Sequence, residues 1–416
     1  MTANPTPSSG QADSPTEDVL DVHQTTCCVV GGGPAGAVLA LLLARKGIAV
    51  TLLEAHGDFR GDTLHPSVME NMDELGLADR LLQLRHSKVS AITFEFGGTS
   101  VAFADFRLLK TPFPYITMMP QTDFLEFITG EAARYPNFRL LMGASVRDLI
   151  EDDGEIRGVR YGSRNRLHEV RAVLTVGADG RFSRVRRLAG FEPIKTSPPM
   201  DVLWFRLPRR PDESGVAIAR IAGGRIGILL DRGDRWQAGY VIPKGGYQEL
   251  RARGLEKLRR SFAHLRPEVA DRVDHLQEWG QISMLSVESN RLPEWHRPGL
   301  LMIGDAAHVM SPVAGVGINY AIRDAVVAAN LLGDLLKEGR LRTHDLARVQ
   351  RRREWPTRII QAIQAQMQRR VIARDLDPTE PFASPGFMRF LPRVPILRKL
   401  APRLIAFGIW PVQVKT

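Results

Sequence analysis

The feature that most constrains this chain is a glycine-rich turn set between two runs of different hydrophobic period. Residues 25–36 read TTCCVVGGGPAG: a short apolar run, then Gly31-x-Gly33-x-x-Gly36 with Pro34 and Ala35 inside it. AVLALLLARKG follows, rich in Ala and Leu with Gly47 as a stop, and IAVTLLE closes the unit at Glu54. This order predicts strand, tight turn, helix and second strand. The first glycine permits the bend, the second lets a pyrophosphate approach the backbone, and the third lets the helix pack close on the strand. The helix N-terminus adds free N–H groups and a partial positive charge for the phosphates. Glu54, 18 residues beyond Gly36, is placed to accept hydrogen bonds from ribose hydroxyls. The fingerprint alone does not tell one dinucleotide from another.

At 416 residues the chain is too long for one hydrophobic core, so two or three domains or one elaborated domain are expected. Its 44% hydrophobic and 25% charged residues belong to a globular protein. No uninterrupted apolar run reaches the roughly 18 to 20 residues of a membrane span, and the N-terminus lacks the order of a secretory signal, so the cytoplasm is the expected compartment. Cys27 and Cys28 are adjacent inside an apolar stretch, which fits buried reduced thiols better than a disulfide or a metal site. Net charge is +10, and residues 337–416 hold 17 basic against 6 acidic side chains, enough to account for all of it. Those basic residues lie on helical and Pro-broken segments without interleaved aromatics, so nucleic-acid binding is not expected.

Along the chain, residues 1–24, rich in Thr, Ser, Pro and acid, read as a disordered leader. Residues 25–85, 116–195 and 290–336 read as one discontinuous dinucleotide-binding domain. Residues 86–115 and 196–289 hold short alternating segments separated by Gly, Pro and Asp, as in an antiparallel sheet, and form a β-rich substrate domain. Residues 337–416 form a basic, helical C-terminal segment.

Two further motifs repeat the strand-to-turn pattern: VGADGRFSRVR at 176–186, with Asp179, and LLMIGDAAHVMSPVAGVGINYAIRDA at 300–325. Asp305 ends an apolar strand and is an acceptor suited to the hydroxyls of a ribityl chain. In PVAGVGIN, Gly315 and Gly317 remove side chains, so backbone N–H groups at the following helix start can face an electron-rich ring edge. Taken together, the three elements resemble the group A flavoprotein monooxygenases, the family of para-hydroxybenzoate hydroxylase, over residues 27 to about 336. The resemblance implies an α/β fold: a Rossmann-like FAD-binding domain of the glutathione-reductase type, an antiparallel β-sheet substrate domain and C-terminal helices.

It also implies roles. FAD would be held by Gly31, Gly33, Pro34, Ala35, Gly36 and Glu54, by Gly304 and Asp305, and along its ring by Pro312, Gly315, Gly317, Ile318 and Asn319. Asp179 falls in the family's second fingerprint, and Arg60 and Gln121 fall where the family places polar contacts to flavin and phosphates. NAD(P)H and O2 would be co-substrates of an FAD-dependent monooxygenase, a hydroxylase or epoxidase, that acts through a flavin peroxide on a small organic, aromatic or polycyclic substrate. Only one complete fingerprint occurs, so NAD(P)H would dock transiently or a partner reductase would supply electrons. No catalytic side chain and no metal are assigned; His308 reads as a packing and hydrogen-bonding residue, His65 is given no role, and neither has a metal-ligand spacing.

A flavin halogenase is disfavoured because its W-x-W-x-I-P motif here reads AGYVIP, with Ala238 and Tyr240 at the tryptophan positions. A flavin reductase or desaturating oxidoreductase on a lipid or isoprenoid is the other alternative. Trp204, Phe205, Ile228, Trp236 and Tyr240 are candidates for the wall over the flavin, although strand alternation sends part of any such set to the far face. The C-terminal stretch FMRFLPRVPILRKLAPRLIAFGIWP alternates apolar clusters with basic residues. That pattern suits peripheral membrane contact, but packing on the body or on a second subunit is the favoured reading.

Overall fold

The glycine turn leaves the central strand of the parallel part of an eight-stranded mixed sheet. The computed structural model describes residues 19–56, 63–96, 99–163, 166–196, 198–213, 217–222, 225–368 and 395–415. Strand Val19–Val30 pairs in parallel with Val50–Glu54 on one side and Arg166–Gly177 on the other. Phe138–Met142 and Leu300–Met302 extend the sheet outward, again in parallel. Parallel neighbours need crossovers, and helix Pro34–Arg45 makes the first, burying ten of its twelve residues. Both sheet faces are covered, which is why the strand cores read as unbroken apolar runs. Cys27 and Cys28 point to opposite faces, each into its own core. Loss of water pushes the Cys27 thiol up to about 12.

The first strand starts at Val19, inside the stretch expected to be a leader. Residues 19–24 read VLDVHQ, alternately apolar and polar at their end, and Arg166–Gly177 continues alongside them, with Val22, His23 and Gln24 paired with Glu169, Val170 and Arg171. An available ladder outweighs composition there. Residues 1–18 lie outside the described residues.

A second, seven-stranded sheet runs in the order Ser283–Ser286, Met200–Pro208, Arg235–Pro243, Arg225–Asp231, Ala217–Ala222, Ala91–Phe96, Thr99–Asp105. It is antiparallel except where Ala217–Ala222 meets Ala91–Phe96, strands from separate parts of the chain. Helix Leu255–Leu265 and the 3-10 run Pro267–His275 cover one face, where Phe205, Trp236 and Tyr240 pack against Leu258, Phe262 and Leu265. Those three residues therefore do not belong to a wall over the flavin: parity places them under the covering helix. Trp204 and Ile228 occupy the other face, in a cluster that also holds Phe94 and Val313.

Helix Gly317–Lys337 packs on Pro34–Arg45, and Thr343–Met367 packs on Gly317–Lys337. Helix Pro395–Phe407 folds back over strand Thr99–Asp105 and helix Pro66–Glu74. Its end joins a core of Val89, Phe106, Ile116 and Met118, in keeping with a tail packed on the body. Among the described residues no helix is long and apolar enough to cross a membrane.

Candidate active site

The three fingerprint glycines meet three different surroundings. Gly31 has φ +103°, and a Cβ there would lie 2.5 Å from the Ala178 carbonyl oxygen. A Cβ on Gly36 would sit 1.9 Å from the Gly31 carbonyl oxygen. Both are dictated by backbone crowding. Around Gly33, which precedes the helix, a Cβ would meet nothing within 4 Å, so the turn opens outward at that residue. Pro34 at the first helical position gives up an N–H that no turn would satisfy. Glu54 borders the opening: Oε2 accepts the Gly32 N–H at 2.6 Å and Oε1 the His56 N–H at 2.7 Å. Each oxygen keeps a lone pair for a further donor.

Asp179 faces inward. Its carboxylate accepts the Ser183 hydroxyl at 2.5 Å and the N–H groups of Arg184 and Val185 at 2.7 and 3.0 Å. Burial raises its carboxyl against those hydrogen bonds. The side chain closes the turn that opens helix Arg184–Leu188, which gives it a shaping role there. Arg186 then donates to the Ala306 carbonyl at 3.1 Å, tying this helix to the Gly304–Ala306 turn.

That turn is pressed against the first unit. Gly304 has φ +60°, and a Cβ there would lie 3.0 Å from the Ala35 Cβ and 3.3 Å from the Ala321 Cβ. Among the described residues nothing hydrogen-bonds the Asp305 carboxylate. Burial raises its carboxyl above the ordinary range, with Arg181 and His308 pulling the other way. Asp324, on the long helix, anchors the turn from beneath: Oδ2 accepts the Gly304 N–H at 3.0 Å and lies 2.6 Å from His308 Nε2, while Oδ1 accepts Arg353 Nε at 2.7 Å. Burial would raise Asp324, but the charges of His308 and Arg353 outweigh it and hold the carboxyl low.

The segment Pro312–Asn319 is backbone under strain. Ala314 and Gly315 are left-handed in succession, with φ of +65° and +61°; for an alanine this costs on the order of 1 kcal/mol. Side chains hold it in place. Thr63 Oγ1 donates to the Gly315 carbonyl at 3.1 Å, Asn319 Nδ2 donates to the same carbonyl at 3.2 Å, and Asn319 Oδ1 accepts the His65 N–H at 2.8 Å. Gly317 opens the long helix with nothing closer to a Cβ than Met310 at 3.9 Å, and Ile318 packs against the main core. Gln121 is buried at the first position of helix Gln121–Ala132. Arg60 lies outside the described residues.

Sequence reasoning missed Thr63, Ala314, Asp324 and Arg353, and gave His65 no partner. His65 Nδ1 is 2.9 Å from the Ile405 carbonyl oxygen, and burial pushes its ring down to about 4. The signal for Asp324 and Arg353 lay in charges inside otherwise apolar helix faces, which must pair if buried.

Parallel central strands whose first turn opens outward at Gly33, an acceptor at Glu54 and a half-buried acceptor at Asp305 that no described residue hydrogen-bonds define a dinucleotide-binding α/β protein whose donors and acceptors fit FAD. A family model described as an FAD binding domain matches residues 24–362. The chain is 34% identical over 403 residues to 6-methylpretetramide 4-monooxygenase of Streptomyces rimosus, covering 95% of each. It is 25% identical over 325 residues to para-nitrophenol 4-monooxygenase of Pseudomonas sp. (strain WBC-3), covering 75% of this chain and 78% of that one. Among solved structures, PqsL of P. aeruginosa in complex with 2-aminobenzoylacetate superposes with a TM-score of 0.75 at 22% identity, over 85% of this chain and 98% of that chain. The brominase Bmp2 shares the fold at TM-score 0.76 and 18% identity, over 93% and 94% of the two chains.

This chain belongs to the group A flavoprotein monooxygenases. It is an FAD-dependent monooxygenase that uses O2 to oxygenate a small organic molecule.

Proposed function

We propose that this monooxygenase hydroxylates a planar, multi-ring phenolic substrate held between the seven-stranded sheet and the Pro312–Asn319 turn. One observation carries the reading: a row of side chains across the sheet, Phe94, Ala219, Ile228, Gly239 and Trp204, follows from the strand registers. It contains no charge. A Cβ on Gly239 would lie 2.7 Å from Trp204 Cζ3, so the indole lies across the neighbouring strand as a flat surface. Phe94, Trp204, Ile228 and Val313 are all half-buried although each packs against a buried cluster. A flat, uncharged lining suits a neutral ring system. The S. rimosus relative, named for action on 6-methylpretetramide, supports the multi-ring class.

When bound, FAD supplies the redox chemistry, taking electrons from NAD(P)H and activating O2. The chain's residues would orient and protect it. Gly31 to Gly36 and the helix start at Pro34 would face the pyrophosphate, Glu54 a ribose, and Asp305 the ribityl hydroxyls. N–H groups at the start of Gly317–Lys337 would favour negative charge at the ring edge, with Asn319 and Thr63 fixing the turn that presents them. Trp204, Ile228 and Val313 would exclude water. The parallel-sheet part would hold FAD and the seven-stranded sheet the substrate, with NAD(P)H docking transiently and the cytoplasm as the place of action.

Oxygenation is favoured over halogenation because Ala238 and Tyr240 point away from the turn; Tyr240 Oη is 2.7 Å from Ser261 Oγ, under the covering helix. The test is holoenzyme with NADH or NADPH, ¹⁸O2 and phenols of one to four rings. The expected result is substrate-stimulated NAD(P)H consumption and one labelled oxygen in a multi-ring product. Consumption that yields only hydrogen peroxide with every phenol would defeat the reading.

A further inference from the structure

We infer that the end of helix Pro395–Phe407, through Leu404 and Phe407, forms a third wall of the substrate space and limits the size of ring system admitted. This inference rests on the reading of the chain as a hydroxylase of multi-ring phenols. Leu404 packs against the cluster of Met310, Val316, Tyr320 and Ile360, the same cluster that receives the strained Ala314. One helical turn on, Phe407 packs against the cluster of Val89, Phe106, Ile116 and Met118, as does Phe103 of the edge strand Thr99–Asp105. Phe103 meets Phe94 edge to face, with ring centroids 5.3 Å apart, and Phe94 shares a cluster with Trp204, Ile228 and Val313. A single turn of helix thus spans from the ring-edge turn to the aromatic row. Leu404 and Phe407 are half-buried, as are Ala314 and Phe103, so each keeps part of its apolar surface exposed.

The wall is fixed in place. The last turn of a helix leaves carbonyls without intrahelical partners. Here Arg323 Nη2 donates to the Ala406 carbonyl at 2.9 Å and to Ser67 Oγ at 2.7 Å, and His65 Nδ1 pairs with the Ile405 carbonyl at 2.9 Å. Gly408, left-handed at φ +63°, returns its N–H to the Leu404 carbonyl at 2.9 Å. The buried Arg323 cation lies at the negative end of the helix dipole, which favours it there. Side chains on so anchored a turn set a size limit and do not adapt to the ligand.

The test uses FAD-loaded protein and perturbation of flavin absorbance by phenol, 1-naphthol and 1-hydroxyanthraquinone. Leu404→Trp should raise the Kd of the three-ring probe roughly tenfold or more relative to phenol. Phe407→Leu should shift that ratio the opposite way, and Arg403→Ala, on the exposed side of the same turn, should leave it unchanged. An unchanged ratio in both wall variants, with FAD retained, overturns the inference and leaves the proposed function standing. Should Leu404→Trp fail to retain FAD, the milder Phe407→Leu decides. Wild-type protein that binds none of the probes overturns the functional reading and this inference together.

Discussion

His308 Nε2 stands 2.6 Å from Asp324 Oδ2, with both side chains closed off from solvent. The pair lies beneath the turn that carries Asp305, and Arg353 completes it from a third element. Removing one partner of such a cluster strands the others. Asp324→Asn should cost about 3 to 5 kcal/mol in urea denaturation, because the Arg353 cation stays buried without its counter-charge. The carboxyl is held below its ordinary value, so its contribution is complete above about pH 4 and declines as pH falls further. The variant should lose that acid dependence.

The fingerprint glycines separate ligand from scaffold. Gly33→Ala places a methyl in open space, so stability should change by no more than about 1 kcal/mol while FAD affinity falls roughly tenfold or more, measured by flavin fluorescence titration. Gly36→Ala drives a methyl into the Gly31 carbonyl and should lose about 3 kcal/mol or more of stability with or without FAD.

Two neighbouring residues of the ring-edge turn should respond in opposite senses. Ala314→Gly relieves a left-handed alanine and should leave thermal stability equal or higher, within about 1 kcal/mol. Gly315→Ala adds a Cβ at 3.0 Å from Thr63 Oγ1 on a left-handed backbone and should cost about 1 to 2 kcal/mol. It should also weaken FAD binding.

His65 makes the fold acid-sensitive in a defined window. Its ring is neutral in the fold, with burial holding it near 4 against an ordinary 6.5 and Arg323 adding to the effect. An unfolded chain therefore takes up this proton first as pH falls. Stability from His65 is complete above pH 6.5 and should decline by up to about 3 kcal/mol on approaching pH 4. His65→Gln should flatten the stability profile over that interval in denaturant titrations at stepped pH.

What could be read from the chain alone was whatever depends on neighbours in sequence. Gly31, Gly33, Gly36 and Glu54 are local, because a strand, a turn and a helix fix their own spacing. Trp204 and Phe205 mark the limit: alternation separates their faces, but which face meets the turn was decided by helix Leu255–Leu265, far along the chain. Asp179 sat in a motif whose spacing is equally that of a capped turn, and its carboxylate does accept the N–H groups of Arg184 and Val185. Thr63 and His65 act through partners some 250 and 340 residues away, and no periodicity encodes such pairings.

The backbone from Val412 to Lys415 is knit into the body, bonding Asn71, Glu74 and Asn330 just beyond the anchored turn at Leu404. Every strand and helix that this stretch closes over is translated before it. Helices Pro66–Glu74 and Gly317–Lys337 are therefore already made when this stretch docks on them, so its four backbone bonds add a late clasp to surfaces that fold without it.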